Sequence, residues 1–451
     1  MRVCERLHPN AEFDLKGFMK TSEPAPRVEE VNRKQTQLEV LDLEQLIDAD
    51  HPARAVWGMV EKLDLSRFYE PIRAREGGVG RTATDPKVLL ALWLFAISDG
   101  VGSAREIVRL TESHDAYRWL RGGVRLNHHT VSDFRTAHPG AVDNLLTQIL
   151  ATLMGAKLLT LHRVAVDGTK VRANAGAASF RKKDSLHKLL KRAKQQLRAV
   201  DESAKDGTRS KKQQAAQQRA AEERATRIQG ALDKLELLQN PQTEKNREAK
   251  GKKPAEPRAS TTDPDARVMK DGGGGFRPSF NVQLATEAES GLVVGARVST
   301  SPADNHQLVP MLDDIQQRTG TVPEQALVDA GYVHFESVEV AGEMGTEVFM
   351  PLDKLGGRRP ADGSVFDPYK QNPDDGPEVA ALRARMKSES GRAIYKSRAA
   401  IAERPNAHLK ERMDFRRVLV RGAAKVTTVT LLTAVAFNIH RIISLDWLRC
   451  F

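Results

Sequence analysis

Three acidic residues are placed so that they can serve one phosphoryl-transfer site. Asp167 follows Val164-Ala165-Val166 and precedes Gly168; Asp329 follows Ala326-Leu327-Val328 and precedes Ala330-Gly331. Both runs read as short strands closed by their glycines. Side chains at the ends of adjacent strands converge. Two carboxylates meeting there repel each other unless a cation lies between them. A hard divalent ion such as Mg²⁺ prefers oxygen ligands. Two such ions about 4 Å apart can activate an attacking oxygen and stabilise the leaving oxygen of a phosphodiester. Taken singly, each Asp is better read as a turn residue, where Asp-Gly is common.

The third acid should come from a helix lying over the sheet. Glu403 sits in the run from Tyr395 to Lys410. Tyr395 and Arg398 are three residues apart and share a helix face, and Lys410, seven residues after Glu403, shares the face of Glu403. Pro405 removes a backbone donor, so a kink or restart is expected near Glu403, where a positive helix end would favour an anion. A solvated charged helix is the plainer reading of the same segment. Asp263, Asp265 and Asp304 are rival acids, but Asp263-Pro264 and Asp304-Asn305 look like turn or helix-start chemistry.

The elements that must position these residues fall into an α+β pattern. In a chain of 451 residues there is room for two or three domains. Residues 1–37 read as a flexible N-terminal tail, and 38–158 as an all-α domain. Its helix starts are His51-Pro52, Asp85-Pro86 and a Ser103/Glu106 capping box. Three short helices there leave a helix-turn-helix DNA reader open beside a purely structural bundle. Residues 159–180 and 258–445 read as a mixed sheet covered by helices. The hairpin within it pairs Ser279–Thr286 with Leu292–Thr300. Between these parts, 181–257 reads as an inserted basic coiled-coil hairpin, with Leu186, Leu190, Ala193 and Leu197 near a 3.5-residue period. It can lie along DNA, pair two protomers, or be a solvated coiled coil. Residues 355–390, rich in Gly, Pro and Asp, read as a long loop before the Glu403 helix.

The net charge of +11 favours a polyanionic partner. Two cysteines, Cys4 and Cys450, cannot supply zinc spacing or a disulfide framework, and they suit a reducing compartment. The first residues lack the apolar core of a signal peptide. The most apolar stretch, Val426 to Ile439, is shorter than the ~20 residues of a bilayer span and reads as a buried helix.

The motifs together resemble the DDE transposases of bacterial insertion sequences, in the branch whose third catalytic segment is called the YREK signature. Those motifs are Asp167-Gly168-Thr169, Val328-Asp329-Ala330-Gly331-Tyr332, and then Tyr395, Arg398, Glu403 and Lys410. Also similar are Thr262–Arg267, Phe280–Gln283, Arg421-Gly422 with Lys425-Val426, Asn438 and Arg441, and the leading helical segment with His129-Thr130 and Phe134-Arg135. The likeness covers roughly residues 40 to 445. Two departures are visible. Arg398 to Glu403 is one residue longer than the commonest spacing, and Val429 stands where an acid often follows the Lys-Val pair.

The resemblance implies an RNase H-like catalytic domain in which Asp167, Asp329 and Glu403 hold two Mg²⁺ or Mn²⁺ ions. It also implies that Tyr395, Arg398 and Lys410 contact DNA phosphate. The activity implied is cleavage at transposon ends followed by strand transfer into double-stranded target DNA. A homodimer on DNA follows, since cutting two ends calls for at least two protomers. A cytoplasmic, nucleoid-associated bacterial location follows too, with no membrane partner. Two alternatives stay open: an inactive transposase-derived DNA-binding protein, and a metal-dependent nuclease without strand joining.

Overall fold

The computed structural model describes residues 34, 40–75, 77, 82–203, 210–238, 256–353 and 367–451. The chain divides into two units, Met1–Asp42 and Leu43–Phe451. Nearly all of the expected tail, 1–37, lies outside the described residues.

The second unit opens with helices α1 (Pro52–Lys62), α2 (Ser66–Tyr69), α3 (Pro86–Ser98), α4 (Ala104–Ser113), α5 (Asp115–Arg121), α6 (His128–Ala137) and α7 (Pro139–Gly155). Their starts follow local chemistry. His51 Nδ1 accepts from the Ala53 N–H at 3.1 Å, and Asp85 Oδ1 from the Lys87 N–H at 2.8 Å, each with proline in the first turn. Ser103 stands at the start of α4 without capping it, and Glu106 pairs with Arg109, so the expected capping box does not form. Helix α3 is buried at Pro86 and continuously from Val88 to Ile97.

The sheet contains β1 (Arg163–Arg172), β4 (Arg267–Lys270), β5 (Phe276–Glu287), β6 (Val293–Ser299), β7 (Gln325–Leu327) and β8 (Glu347–Phe349). The order is β4-β5-β1-β7-β8, with β6 also on β5. Strand β1 is antiparallel to β5 and parallel to β7; β8 continues the parallel side. A separate two-residue pairing joins β2 (Phe180–Arg181) to β3 (Ala259–Ser260). The long helices α8 (Lys183–Ser203) and α9 (Lys211–Leu238) leave and return beside that pairing. They close over their own small core of Leu186, Ala193, Ile228, Leu232 and Leu235. The Asp206-Gly207 link between them and most of the polar end at 244–258 lie outside the described residues.

Helices α10 (Leu308–Thr319), α11 (Phe335–Glu343), α12 (Pro377–Lys387), α13 (Glu389–Lys396), α14 (Arg398–Glu411) and α15 (Ala423–Ser444) complete the unit. One continuous apolar core runs from α1 through the sheet to α15. Among the described residues α15 alone is long and apolar enough to cross a membrane, yet it is mostly buried and packs against α3, α7 and β6. Its threonines send their hydroxyls back along the helix, as Thr430 Oγ1 does to the Val426 carbonyl at 2.9 Å. Asn438 clamps β6, accepting from the Val293 N–H and donating to its carbonyl, each at 2.8 Å. Burial of such groups is tolerable because each finds a partner.

Three expectations need correction. The 355–390 stretch is not one loop, since α12 and the start of α13 lie in it. Pro377 supplies the first turn of α12, and Val379, Leu382 and Met386 bury a helical stripe that the Gly- and Asp-rich residues before it disguise. Strand β1 does not end at Gly168 but runs on to Arg172, held by β5 through Arg172↔Ser279. The helical break falls at Ser397, between α13 and α14. Pro405 lies inside a continuous α14, so Glu403 is in a helix interior and not at a positive end.

Candidate active site

The parallel pairing of β1 with β7 sets the two aspartates side by side. Ala165 is opposite Leu327, and two residues further on each strand are Asp167 and Asp329. The ladder stops at Leu327, where Asp329 turns the chain by accepting the Gly331 N–H at 2.7 Å. Asp167 is thus a mid-strand residue that becomes accessible because its parallel neighbour ends.

Helix α14 packs against β1 and β5 and covers Asp167. Arg398 Nη2 donates to Asp167 Oδ1, and Asn406 Nδ2 to Asp167 Oδ2, each at 2.7 Å. Burial raises the Asp167 carboxyl above its ordinary range; Arg398 opposes this, while Asp329 and Asp304 add to it. Burial also raises the Tyr395 phenol, with Arg398 pulling down and Asp329 and Asp167 pushing up. Lys410 is lowered by burial, against the field of Asp167. Asp167, Asp329, Tyr395, Arg398 and Lys410 therefore share one neighbourhood. Glu403 does not join it as the structure stands. It is exposed, and no hydrogen bond or ion pair among the described residues includes it.

Sequence reasoning set Asp304 aside as turn chemistry, and the structure brings it in. Its Oδ1 accepts from Asn281 Nδ2 at 2.6 Å, Gln283 Nε2 at 2.7 Å and Lys170 Nζ at 3.3 Å. Tyr332, buried, donates its hydroxyl to Gln283 Oε1. Gly168 permits this crowding: a Cβ there would stand 2.5 Å from Gln283 Nε2 and 2.6 Å from Asp304 Oδ1. The signal in the sequence was the polar pair Asn281 and Gln283 on alternate positions of the otherwise apolar run Phe280–Ala285; the structure buries both, so each needs a partner. Asn406 was also missed; it lies eight residues after Arg398, within 80° on the helix.

The donor types suit a hard cation, being carboxylate oxygens whose mutual repulsion a cation would relieve. Arg398 Nε and Asn406 Oδ1 are buried without partners, so the contacts around Asp167 are incomplete. Among the described residues no three His, Cys, Asp or Glu side chains stand together in a way that could hold a metal ion.

Two family models match the chain. One, described as a transposase DDE domain, covers residues 373–443 and includes Tyr395, Arg398, Glu403 and Lys410. The other, a transposase domain (DUF772), covers residues 41–137 in the helical region. These two regions are thus similar to transposase domains, which supports an insertion-sequence transposase of the DDE type. No curated protein and no solved structure matches it.

Proposed function

We propose that this transposase cleaves phosphodiester bonds at the ends of its element and joins the freed 3′ ends to double-stranded target DNA. The observation that carries this is the register that sets Asp167 beside Asp329 under α14, which bears Arg398 and Lys410, with Tyr395 at the end of α13 before it. On this reading the sheet and its helices, 159–180 and 258–445, form an RNase H-like catalytic domain. Residues 38–158 bind DNA, and 181–257 are an insert. The chain works as a homodimer on DNA in the bacterial cytoplasm.

Asp167, Asp329 and Glu403 would hold the divalent ions, two of Mg²⁺ or Mn²⁺. Such ions lower the pKa of an attacking water and stabilise the leaving oxygen. Asp329 is oriented by its bond to the Gly331 N–H, and Asp167 by β1. Arg398 and Lys410 supply positive charge for the phosphate, and Tyr395 a phenolic donor. Glu403 lies three residues before Asn406, about 60° around α14 and ~4.5 Å along it. Bringing Glu403 to the aspartates would take a rotation of α14 that releases Asn406 from Asp167 and repacks Ala402, Pro405 and Leu409.

The test separates chemistry from folding. Asp167→Asn, Asp329→Asn and Glu403→Gln should each abolish Mg²⁺-dependent cleavage of end DNA and plasmid joining while leaving duplex binding and melting behaviour near wild type. Mg²⁺ should raise the Tm of the wild type and not that of Asp167→Asn. Full cleavage by all three variants would falsify the assignment of the acids. Cleavage without joining in the wild type would leave a nuclease.

A further inference from the structure

Strand β1 carries a second charged cluster at its far end, outside the acidic pocket. The segment after α14 returns beside β1 through a parallel bridge between Arg172 and Arg417. The Arg172 N–H donates to the Arg416 carbonyl and the Val418 N–H to the Arg172 carbonyl, each at 2.9 Å. Two exposed arginines thus become direct cross-strand partners, an arrangement that like charges make unfavourable. Arg277, on the β4–β5 hairpin, and Arg421, four residues beyond Arg417, line the same groove.

The acids beside these cations do not balance them. Asp271 pairs with both Arg172 and Arg277, at 2.9 and 3.2 Å. Arg417 reaches the Asn174 side-chain oxygen at 3.3 Å, and Arg421 the Asn174 carbonyl at 3.4 Å. Neither arginine has an ion pair among the described residues. Asn174 and Arg421 also line an adjoining polar cleft with Lys425 and α6.

We infer that this groove holds the phosphate backbone of a DNA duplex beside the helical region. Arg172 and Arg417 are cross-strand partners, and Asp271, already shared with Arg277, leaves positive charge there that an anion would balance. Four arginines, Arg172, Arg277, Arg417 and Arg421, line the groove against the one aspartate they have beside them, Asp271, more positive charge than a single free phosphate would neutralise. Phe276 stands 72% exposed at the rim, an apolar face suited to sugars or bases and foreign to a free-phosphate site. The inference rests on the reading that the chain acts on DNA.

The test measures binding of a random-sequence duplex by the full chain across about 50–200 mM salt. Arg417→Ala/Arg421→Ala should reduce the slope of log affinity against log salt by about 2, since each neutralised phosphate contributes about 0.9. Arg417→Lys/Arg421→Lys should restore most of the slope. Inorganic phosphate at millimolar concentration, with ionic strength held constant, should not displace the duplex. An unchanged slope in the alanine variant, with wild-type melting, overturns the groove alone. A wild type that binds no duplex overturns the reading of DNA as substrate as well. Displacement by inorganic phosphate makes the groove a site for single anions and overturns the backbone assignment.

Discussion

Asp167 and Arg172 are five residues apart on β1, about 17 Å at strand rise, and each gathers like charges of its own sign. The acidic group is half-buried and its repulsion is partly relieved from above by Arg398 and Asn406. The basic group is exposed, and one aspartate serves two of its arginines. In the half-buried pocket, repulsion is strong and suits a small hard ion that brings ligands within reach. At the surface, solvent weakens each charge, so several must act together along an extended polyanion. One strand therefore carries an acidic group and, on its other face, a separate basic surface.

The largest effect that would sharpen this contrast is at the pocket. Asp167→Asn should lower the single-turnover cleavage rate by about three orders of magnitude, the several kcal/mol a catalytic ion contributes. A loss under tenfold breaks the contrast. Asp304→Asn should cost about 1–3 kcal/mol in a urea melt, because three donors then face a poorer acceptor. A melt like that of the wild type would show that the Asn281-Gln283-Lys170 network does not depend on its charge.

Arg398 offers a pH test. On the proposed reading Mg²⁺ must displace the proton of metal-free Asp167, whose carboxyl is raised, so at subsaturating Mg²⁺ cleavage should fall as pH drops through a limb above the ordinary 3.8. Arg398 opposes the raising, so Arg398→Gln should move that limb to higher pH. A limb that stays in place would separate Asp167 from the rate. Smallest of all, Phe276→Ala should leave the Tm within the error of a surface change, about 0.5 kcal/mol. It should weaken duplex binding without altering the salt slope, which checks that the rim is apolar and not ionic.

Much of the fold was legible in the sequence. Helix starts at His51-Pro52 and Asp85-Pro86 are local chemistry, and local rules named them. The β5–β6 hairpin came from alternation around Ser290-Gly291, and the buried character of α15 from its composition. The misreadings share a cause. Gly168 looked like a strand end because its need for space comes from Asp304 and Gln283, far away in the chain. Pro405 looked like a break, but α14 tolerates it against the core, where it is buried. The stretch 355–390 looked like a loop because its first half masked the apolar stripe of α12.

By itself the sequence determined the chemistry on offer: two aspartates after β-branched runs, a Glu403 segment bearing Tyr395, Arg398 and Lys410, and a basic excess. These are matters of residue type and short spacing, which local rules can read. Only the tertiary structure decided who meets whom. It set Asp167 against Asp329 through parallel register, put Asn406 and Arg398 on Asp167 while Glu403 faces outward, drew in Asp304, and laid Arg417 along Arg172. Apart from the bonds of Asp304 to Asn281 and Gln283, each of these contacts joins residues more than a hundred positions apart or depends on which face of a helix turns inward. That choice belongs to packing of the whole core, which no local pattern encodes.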